Sequence, residues 1–467
     1  MTTAKSLRLA LSFFALITLQ ACATYYQQHL DFNYEFEHGD LQQALNALKG
    51  SEAESKSRFL FFANKGLLLS VLGDYEESNA FLEKAFLFGE DYRVNYFNEG
   101  VSYFTNPNFT VYRGEDHEHL MVLYFKAINY LKMNQPQDAL VECRRLNIRL
   151  NQLTDKYSSP HKLQRDAFIH TLMGIIYQST KDYNNAFIAY RNALDVYENE
   201  YAKMFHMSVP EQLQKDLVNT AYWTGFMDEF ENYKTKFGMQ DYTPVQPDAE
   251  LVFFWHNGLA PVKTEWGINF VIAPGPGNTM LFTNESMGMV FSFPVEEEND
   301  RRGLAALQIY RVVFPRYVER PLYFQTANLE TNGAAYPLQL AEDVSKVAFQ
   351  SLRQRMLQEF AKGLLRAALK KVTEQSLRKK DEGLGALLGV VNAATEKADT
   401  RNWQTLPHSI FYSRIPLVPD EKNEVKLKLL PGEGSGTDYS FTYQPQKGRT
   451  LFHTFSSLES LAPSYSF

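Results

Sequence analysis

Two stretches of the chain, GLLLSVLGDYEESNAFLEKA (residues 66–85) and GIIYQSTKDYNNAFIAYRNA (residues 174–193), share one pattern of small and aromatic residues. A glycine opens each stretch, a tyrosine stands in its middle and an alanine closes it. Small residues at this spacing lie where two antiparallel helices approach each other, because a larger side chain would push the helices apart. The pattern predicts a helix–turn–helix unit that occurs more than once in the chain.

Two further segments repeat the pattern. AINYLKMNQPQDALVECRRLN has Ala127 and Ala139 at the small positions, although it carries Pro136 in the turn and Leu146 at the last small position. HGDLQQAL places Gly39 34 residues before Gly73. The copies resemble the tetratricopeptide repeat (TPR), a 34-residue helix–turn–helix with small residues at positions 8, 20 and 27. The alternative is a set of ordinary amphipathic helices with coincidental alanines.

The position of a residue in the aligned repeats predicts its environment. Cys143 falls at position 24, a core-facing site where a free cysteine acts as a small hydrophobic residue. Two more helices are predicted between residues 208 and 237, the first beginning at Pro210, and they would cap the solenoid.

The N-terminus has the pattern of an exported protein. Lys5 and Arg8 precede a short apolar run, and the run ends in Leu19-Gln20-Ala21-Cys22. This ending resembles the bacterial lipobox, which implies a signal peptide over residues 1–21 and a diacylglyceryl and palmitoyl anchor on Cys22. Ala23, rather than aspartate, implies sorting to the outer membrane, facing the periplasm. The alternative is a plain signal peptide followed by an incidental cysteine.

The composition limits the partners of the protein. A net charge of −7 over 467 residues argues against a nucleic-acid binder, which would have a broadly basic surface. Lipidation of Cys22 would leave Cys143 without a partner, so no intramolecular disulfide is expected. No later segment approaches a membrane span in length and apolarity.

The hydrophobic period changes after the helical region. We predict a TPR-like helical domain over residues 22–237, a Pro-punctuated linker over 238–250 and an α+β domain over 251–467. Short strand patterns flank a long helical stretch that begins near Leu340. Its basic part, residues 353–380, suits contact with anionic lipid or wall polymer, or else is a solvated helix face. The Gly/Ala-rich residues 383–394 suit tight helix packing or a flexible hairpin.

Four segments together carry a family resemblance: GEDHEHLMVLYFKAINYL (114–131), ALVECRRLN (139–147), NGLAPVK (257–263) and ATEKADTRNWQTLP (394–407). They resemble a group of bacterial outer-membrane lipoproteins with TPRs, whose genes often lie beside those of penicillin-binding-protein activator lipoproteins. The resemblance covers nearly the whole mature chain and brings no catalytic residues with it. It implies a role in the assembly of the envelope or its peptidoglycan.

The function predicted from these features is a lipid-anchored periplasmic scaffold or adaptor that binds envelope proteins through its repeats. The alternative is a subunit of an outer-membrane transport or secretion assembly, and less favoured is a cell-wall enzyme. No motif predicts an enzyme, a cofactor or a metal site. His117 and His119 have no familiar zinc spacing, so a solvated helix N-terminus is the favoured interpretation.

Four residues are predicted to bind a partner. Tyr112 and Glu115 lie in an irregular insertion that no packing requirement explains. Arg144 and Arg145 are adjacent on a helix and point about 100° apart, so at least one should face away from the core. An outward arginine could bind a carboxylate with its planar fork, whereas the alternative is an ion pair within the solenoid.

Overall fold

The computed structural model describes residues 24–49, 56–91, 111–156, 165–353, 364–365, 368–373 and 398–461. The signal peptide, Cys22, residues 383–394 and most of the basic stretch 353–380 lie outside the described residues. In the described part, no helix has the length and apolarity that crossing a membrane requires.

The N-terminal half is a row of antiparallel helix pairs, as the repeats predict. The helices are α1 (Tyr25–Gln28), α2 (Leu30–Glu37), α3 (Leu41–Leu48), α4 (Arg58–Leu72), α5 (Tyr75–Asp91), α6 (Asp116–Lys132), α7 (Pro136–Lys156), α8 (Ala167–Ser179), α9 (Tyr183–Val196), α10 (Ala202–Phe205), α11 (Glu211–Thr224) and α12 (Met227–Lys236). A π-helical turn, Tyr197–Tyr201, joins α9 to α10. The predicted pair at the end of the row is α11 and α12, and Pro210 is the N-cap of α11.

The turn inside each pair reverses the chain through a residue in the left-handed region. These residues and their φ angles are Gly39 (81°), Gly73 (91°), Asn134 (58°), Lys181 (64°) and Gly225 (82°). Glycine is the usual residue there because it has no Cβ, and asparagine is the usual second choice. Lys181 is the exception among them.

The small residues of the pattern lie where the helices of a pair meet. A Cβ built on Gly66 would lie 2.6 Å from Leu82 Cγ, and one built on Gly174 would lie 2.4 Å from the Tyr190 ring. Ala186, at the second small position, is fully buried. The predicted role of these residues in close helix approach is confirmed.

The C-terminal half contains twelve strands in its described part. They are β1 (Ala249–Asn257), β2 (Val262–Pro274), β3 (Thr279–Asn284), β4 (Met289–Pro294), β5 (Ile309–Val318), β6 (Phe324–Thr331), β7 (Ala334–Pro337), β8 (Gln339–Asp343), β9 (Ser409–Leu417), β10 (Asn423–Pro431), β11 (Thr437–Tyr443) and β12 (Thr450–Ser457). Helix α13 (Glu298–Leu307) lies between β4 and β5. Sheet I has the strand order β12-β1-β9-β8, sheet II β11-β10-β6-β7 and sheet III β4-β3-β2-β5.

Sheet I is buried on both faces. In β1, Val252 and Phe254 belong to the core of the helix pairs, whereas Leu251, Phe253 and Trp255 pack against sheet II. This alternation follows from the two-residue period of a strand. The molecule therefore has three layers, with helices on one side of sheet I and sheet II on the other.

Sheet III has a core of its own. Phe270 and Phe282 pack there with Leu304 of α13 and with Leu364 and Ala368 of the predicted helical stretch. The apolar stripe of that stretch therefore covers a sheet, and the chain leaves its strands and returns to them as predicted.

The predicted second half differs from the structure in several details. Leu340 lies in β8, where it pairs with Phe411 of β9, and the helix begins at residue 344. The sequence pattern also missed β3, β7, β8 and α13, which are short or lack a clear period. Strand β1 begins at Ala249, inside the predicted linker, and the boundaries of the two predicted domains remain a prediction.

Candidate functional site

Three of the segments that carry the family resemblance meet at one place in the fold. Residues 114–120 begin α6, residues 257–263 join β1 to β2, and residues 398–407 lead into β9. Asn402 Nδ2 donates to Pro261 O (2.9 Å), and Asn402 Oδ1 accepts from Lys263 N (3.2 Å). Trp403 N donates to Glu118 Oε1 (2.6 Å), which joins the third segment to the first.

A buried ion pair lies at the centre of this junction. Lys263 Nζ pairs with Glu115, and the two side chains are 1% and 6% exposed. Lys263 Nζ also donates to Arg401 O (3.2 Å) and lies over the Tyr112 ring at 5.8 Å. An ion pair removed from water is stable only where further hydrogen bonds satisfy both partners, as they do here.

Glu118 satisfies donors from three directions. Its Oε2 accepts from Tyr112 Oη (2.8 Å) and from Glu115 N (2.9 Å), and the second bond forms a capping box at the start of α6. Burial raises the pKa of Glu118 to about 7, while the N–H donors from Trp403 and Glu115 act in the opposite direction. The contacts of Glu118 join three chain segments, which is an organising role in the fold.

The expectation that Tyr112 and Glu115 lie at the surface is wrong. Tyr112 is 6% and Glu115 5% exposed, because the β1–β2 connection and residues 398–403 cover them. The physical reason is the ion pair: Glu115 needs Lys263, and Lys263 is distant in sequence. Neither residue presents its side chain to a partner.

The two histidines of α6 are buried, not solvated. His119 Nε2 lies 2.7 Å from Arg113 O, and its ring packs 5.0 Å from that of Phe59. His117 packs edge-on against Tyr317, and burial lowers its pKa to about 4. Within the described residues, no group of three or more His, Cys, Asp or Glu side chains is arranged to hold a metal ion.

The two arginines of α7 have different environments. Arg145 makes a bidentate pair with Glu83 of α5 (both 3.0 Å) and pairs with Glu142 (2.9 Å), so it forms the ion pair within the solenoid. Arg144 is exposed and donates to Tyr177 Oη at 3.2 Å. Cys143 between Glu142 and Arg144 is buried, as the register predicts, and burial raises the pKa of its thiol.

Sheet I covers α6 and α8, and the segment that leads into β9 contacts α4; these three are the first helices of the three main pairs. Thr405 Oγ1 donates to Asn64 of α4 (2.7 Å), and the Phe254 ring packs against Phe168 of α8. Tyr124 of α6 lies 2.8 Å from His256 Nε2 of β1. Solenoids commonly bind partners on their concave surface. In this protein α6 and α8 have the protein's own sheet as their partner.

A buried arginine completes the contact between the halves. Arg414 of β9 donates to Gln178 (2.6 Å) and Tyr190 (3.0 Å), and it pairs with Glu250 (2.7 Å) and Asp216 (3.3 Å). Burial raises the pKa of Asp216 to about 6, and the Arg414 charge opposes that rise. Helices α8, α9 and α11 are thereby joined to β1 and β9 through one side chain.

A polar cleft opens beside Arg414, where this contact reaches solvent. Its volume is about 310 Å³, and its lining comes from the end of α8, the α8–α9 turn, Trp223, residues 246–250 and residues 447–450. Glu250 is part of this lining and also accepts from Thr450 Oγ1 (2.8 Å). Clefts between two structural units are common ligand sites.

The sequence did not point to the residues of this cleft. Its lining comes from segments more than 260 residues apart, such as Lys181 and Lys447, and no short motif joins them. One signal was present in the repeats: Lys181 occupies the turn position at which the other aligned copies have Gly73 and Asn134.

The sequence matches no protein-family model, and a search of curated proteins finds no match. Solved structures with similar folds include MamA (residues 41 to the end) from Desulfovibrio magneticus RS-1, with 18% identity and a TM-score of 0.27, covering 45% of this chain and 93% of that one. BtubC from P. vanneervenii has 13% identity and a TM-score of 0.33, with coverages of 52% and 91%. The TPR-like repeats of a Podospora anserina kinesin light chain have 14% identity and a TM-score of 0.31, with coverages of 46% and 93%. These TM-scores are low, and the helix pairs themselves define the fold.

Proposed function

We propose that this protein is a lipid-anchored periplasmic scaffold that binds an envelope protein and takes part in the assembly of the envelope or its peptidoglycan. The observation that supports a scaffold is the exposed face of α7. Val141 (48% exposed) and Ile148 (58% exposed) flank the exposed Arg144 on one face of this helix. Exposed apolar residues that surround an arginine are typical of protein interfaces.

Helices α5 and α9, which like α7 are the second helices of their pairs, also have exposed apolar side chains. Leu87 of α5 is 47% exposed and Ile188 of α9 is 38% exposed. Sheet I covers α6 and α8, whereas the second helices α5, α7 and α9 have exposed apolar side chains that a protein partner can reach. The partner proposed for α7 is a protein with an apolar contact surface and a carboxylate opposite Arg144.

The residues that follow Cys22 are part of the folded body, so only a short segment would separate the body from a lipid on Cys22. Thr24 caps α1 through a capping box, Tyr25 is buried, and Tyr25 N donates to Thr400 Oγ1 (2.9 Å). Cys22 is three residues before Tyr25, a span of at most about 11 Å. A lipid on Cys22 would therefore hold the folded body close to the membrane surface.

The anchor is tested by Cys22→Ser. Because the thioether needs the Cys22 sulfur, we expect the variant in the soluble periplasmic fraction and the wild type in the outer membrane. Mass spectrometry of the mature wild-type N-terminus should show a triacylated cysteine. An unmodified N-terminus that starts at another residue would contradict the proposal.

The partner surface is tested by photo-crosslinking in intact cells. A crosslinking amino acid at Ile148 should give one dominant protein adduct, and Arg144→Gln should abolish that adduct without a change in melting temperature. The matched control is Val290 of β4, which is 66% exposed and distant in the fold, and should give no such adduct. Equal adducts from Ile148 and Val290 would count against an α7 interface.

A further inference from the structure

The turn between α8 and α9 contains a lysine where its counterparts do not. Lys181 has φ 64°, whereas the corresponding residues are Gly39, Gly73 and Gly225, and Asn134. A side chain with a Cβ is disfavoured in the left-handed region, and lysine has no short polar group that compensates locally. An unfavourable backbone conformation that is kept in one turn points to a use for its side chain.

The side chain of Lys181 extends across the mouth of the polar cleft. Its Nζ lies 3.4 Å from the position that a Cβ on Gly448 would occupy, so the ammonium group reaches the opposite wall. Arg449, on that wall, donates to Asn134 Oδ1 at 3.3 Å. In the part of the chain that the structure describes, no carboxylate lies within ion-pair distance of Lys181 or Arg449.

The acidic residues of the cleft already have cationic partners. Glu250 pairs with Arg414 (2.7 Å), and Asp248 pairs with Lys447 (3.2 Å). The cleft thus has an excess of positive charge in a protein whose net charge is −7. Cations that are held at a concave surface and lack a carboxylate partner favour an anionic ligand.

An aromatic pair forms another part of the cleft lining. The rings of Trp223 and Tyr183 lie 5.2 Å apart at 51°, and both residues are half-buried. Gln246 Nε2 donates to Tyr183 Oη, which fixes the tyrosine against the linker. Partly exposed rings beside polar amides and carboxylates suit a ligand that has both an apolar ring face and hydroxyl groups.

We propose that this cleft binds an acidic saccharide, a sugar ring that carries a carboxylate. Trp223 and Tyr183 stack on the ring, Lys181 and Arg449 bind the carboxylate, and Asp248 accepts from hydroxyl groups. A volume of about 310 Å³ is at the lower end of ligand pockets, which suits one or two sugar units. A nucleotide also combines a ring with an anion. The choice of a saccharide rests on the envelope location proposed above.

The test measures ligand binding to the full-length protein in detergent by calorimetry. N-acetylmuramic acid and N-acetylglucosamine are the probes, because they share a ring and differ in one carboxylate-bearing substituent. We expect N-acetylmuramic acid to bind at least about ten times more tightly. Equal affinities for the two sugars, or no binding of either, would overturn the proposal, and tighter binding of AMP would replace the saccharide with a nucleotide.

The decisive variant is Lys181→Asn. Asparagine is better suited to φ 64°, so the melting temperature should be unchanged or higher while N-acetylmuramic acid binds at least about ten times more weakly. Lys422→Asn, an exposed lysine in the β9–β10 turn, is the matched control and should keep wild-type affinity. Unchanged affinity in Lys181→Asn would refute the role of this lysine. These outcomes are independent of lipidation and of the α7 interface.

Discussion

His256 shows at the residue scale how a buried side chain makes stability depend on pH. It lies on β1 under α6, with Tyr124 Oη 2.8 Å from its Nε2, and burial lowers its pKa to about 3. Between about pH 6.5 and pH 3, the unfolded chain binds a proton at His256 and the folded protein does not. The contribution of His256 is therefore present above pH 6.5 and is lost as the pH falls toward 3.

We predict that His256→Gln reduces this pH dependence. Glutamine keeps an acceptor for Tyr124 but does not titrate, so between pH 6 and 4 the slope of unfolding free energy against pH should fall by up to about 1.4 kcal/mol per pH unit. Urea denaturation at several pH values measures it. The raised pKa values of Glu118 and Asp166 act in the opposite direction, so the test is the difference between variant and wild type. The same change at the exposed His38 is the matched control.

The pair of Lys263 and Glu115 gives a second prediction at this scale. Lys263→Met leaves the Glu115 carboxylate buried without its cation, so the free energy of unfolding should fall by about 3–5 kcal/mol. Adding Glu115→Gln removes the uncompensated charge and should restore more than half of that loss. Chemical denaturation of the two single variants and the double variant measures the coupling. Additive losses would show that the two side chains do not interact.

At the element scale, the side chains at positions 8 and 24 of the aligned repeats complement each other in size. Gly66 faces Leu82 and Gly174 faces Tyr190, whereas the third pair has Ala127 and Cys143 at the same two positions. A residue without a Cβ thus accompanies a large side chain, and alanine accompanies a small one. The interiors of the pairs are close-packed, so neither partner can change alone without cost.

This complementarity in size predicts a compensating pair of substitutions. Gly66→Ala places a Cβ 2.6 Å from Leu82 Cγ and should lower the free energy of unfolding by about 1–3 kcal/mol. Leu82→Cys alone leaves a cavity and should cost a similar amount. The double variant reproduces the combination of the third repeat, so its loss should be smaller than the sum by about 1 kcal/mol or more. Thermal unfolding of the three variants decides it, and simple additivity would refute the complementarity in size.

At the scale of the whole molecule, the helix pairs and sheet I share one hydrophobic core. Phe168, Tyr124 and Tyr197 of the helical half pack in the same cluster as Phe254 and Ile410 of the sheet. Tyr197 Oη also donates to Ala341 O of β8 at 2.6 Å. Separation of the halves would expose this surface to water, which costs a free energy of about 25 cal/mol for each Å² of apolar area.

We therefore predict that a fragment of residues 24–237 does not fold as a stable monomer. It should bind a hydrophobic dye and lack a sharp thermal transition, while the full chain unfolds its helices together with sheets I and II. Calorimetry and dye binding on the fragment and the full chain measure this. A monomeric fragment with the melting temperature of the full chain would instead favour two independent domains joined by the predicted linker.

The local features of this protein could be predicted from its amino-acid pattern alone. The small residues of the repeats predicted the helix pairs, Cys143 was placed in the core, and most strands after residue 248 were recognised from their period. These features depend on neighbours within about 34 residues, because a helix pair or a strand is specified by its own spacing of apolar and small side chains. The proposed lipid anchor likewise rests on a local motif.

The contacts between distant segments could not be predicted from local patterns and became known from the folded chain. Glu115 is buried because Lys263 lies opposite, and α6 and α8 each pack one face against sheet I. The cleft likewise depends on the approach of Lys181 to Gly448. Such contacts join segments more than 80 residues apart, and local periodicity contains no information about which distant element covers which face. The partner of a charge or a helix face is therefore known only once the chain is folded.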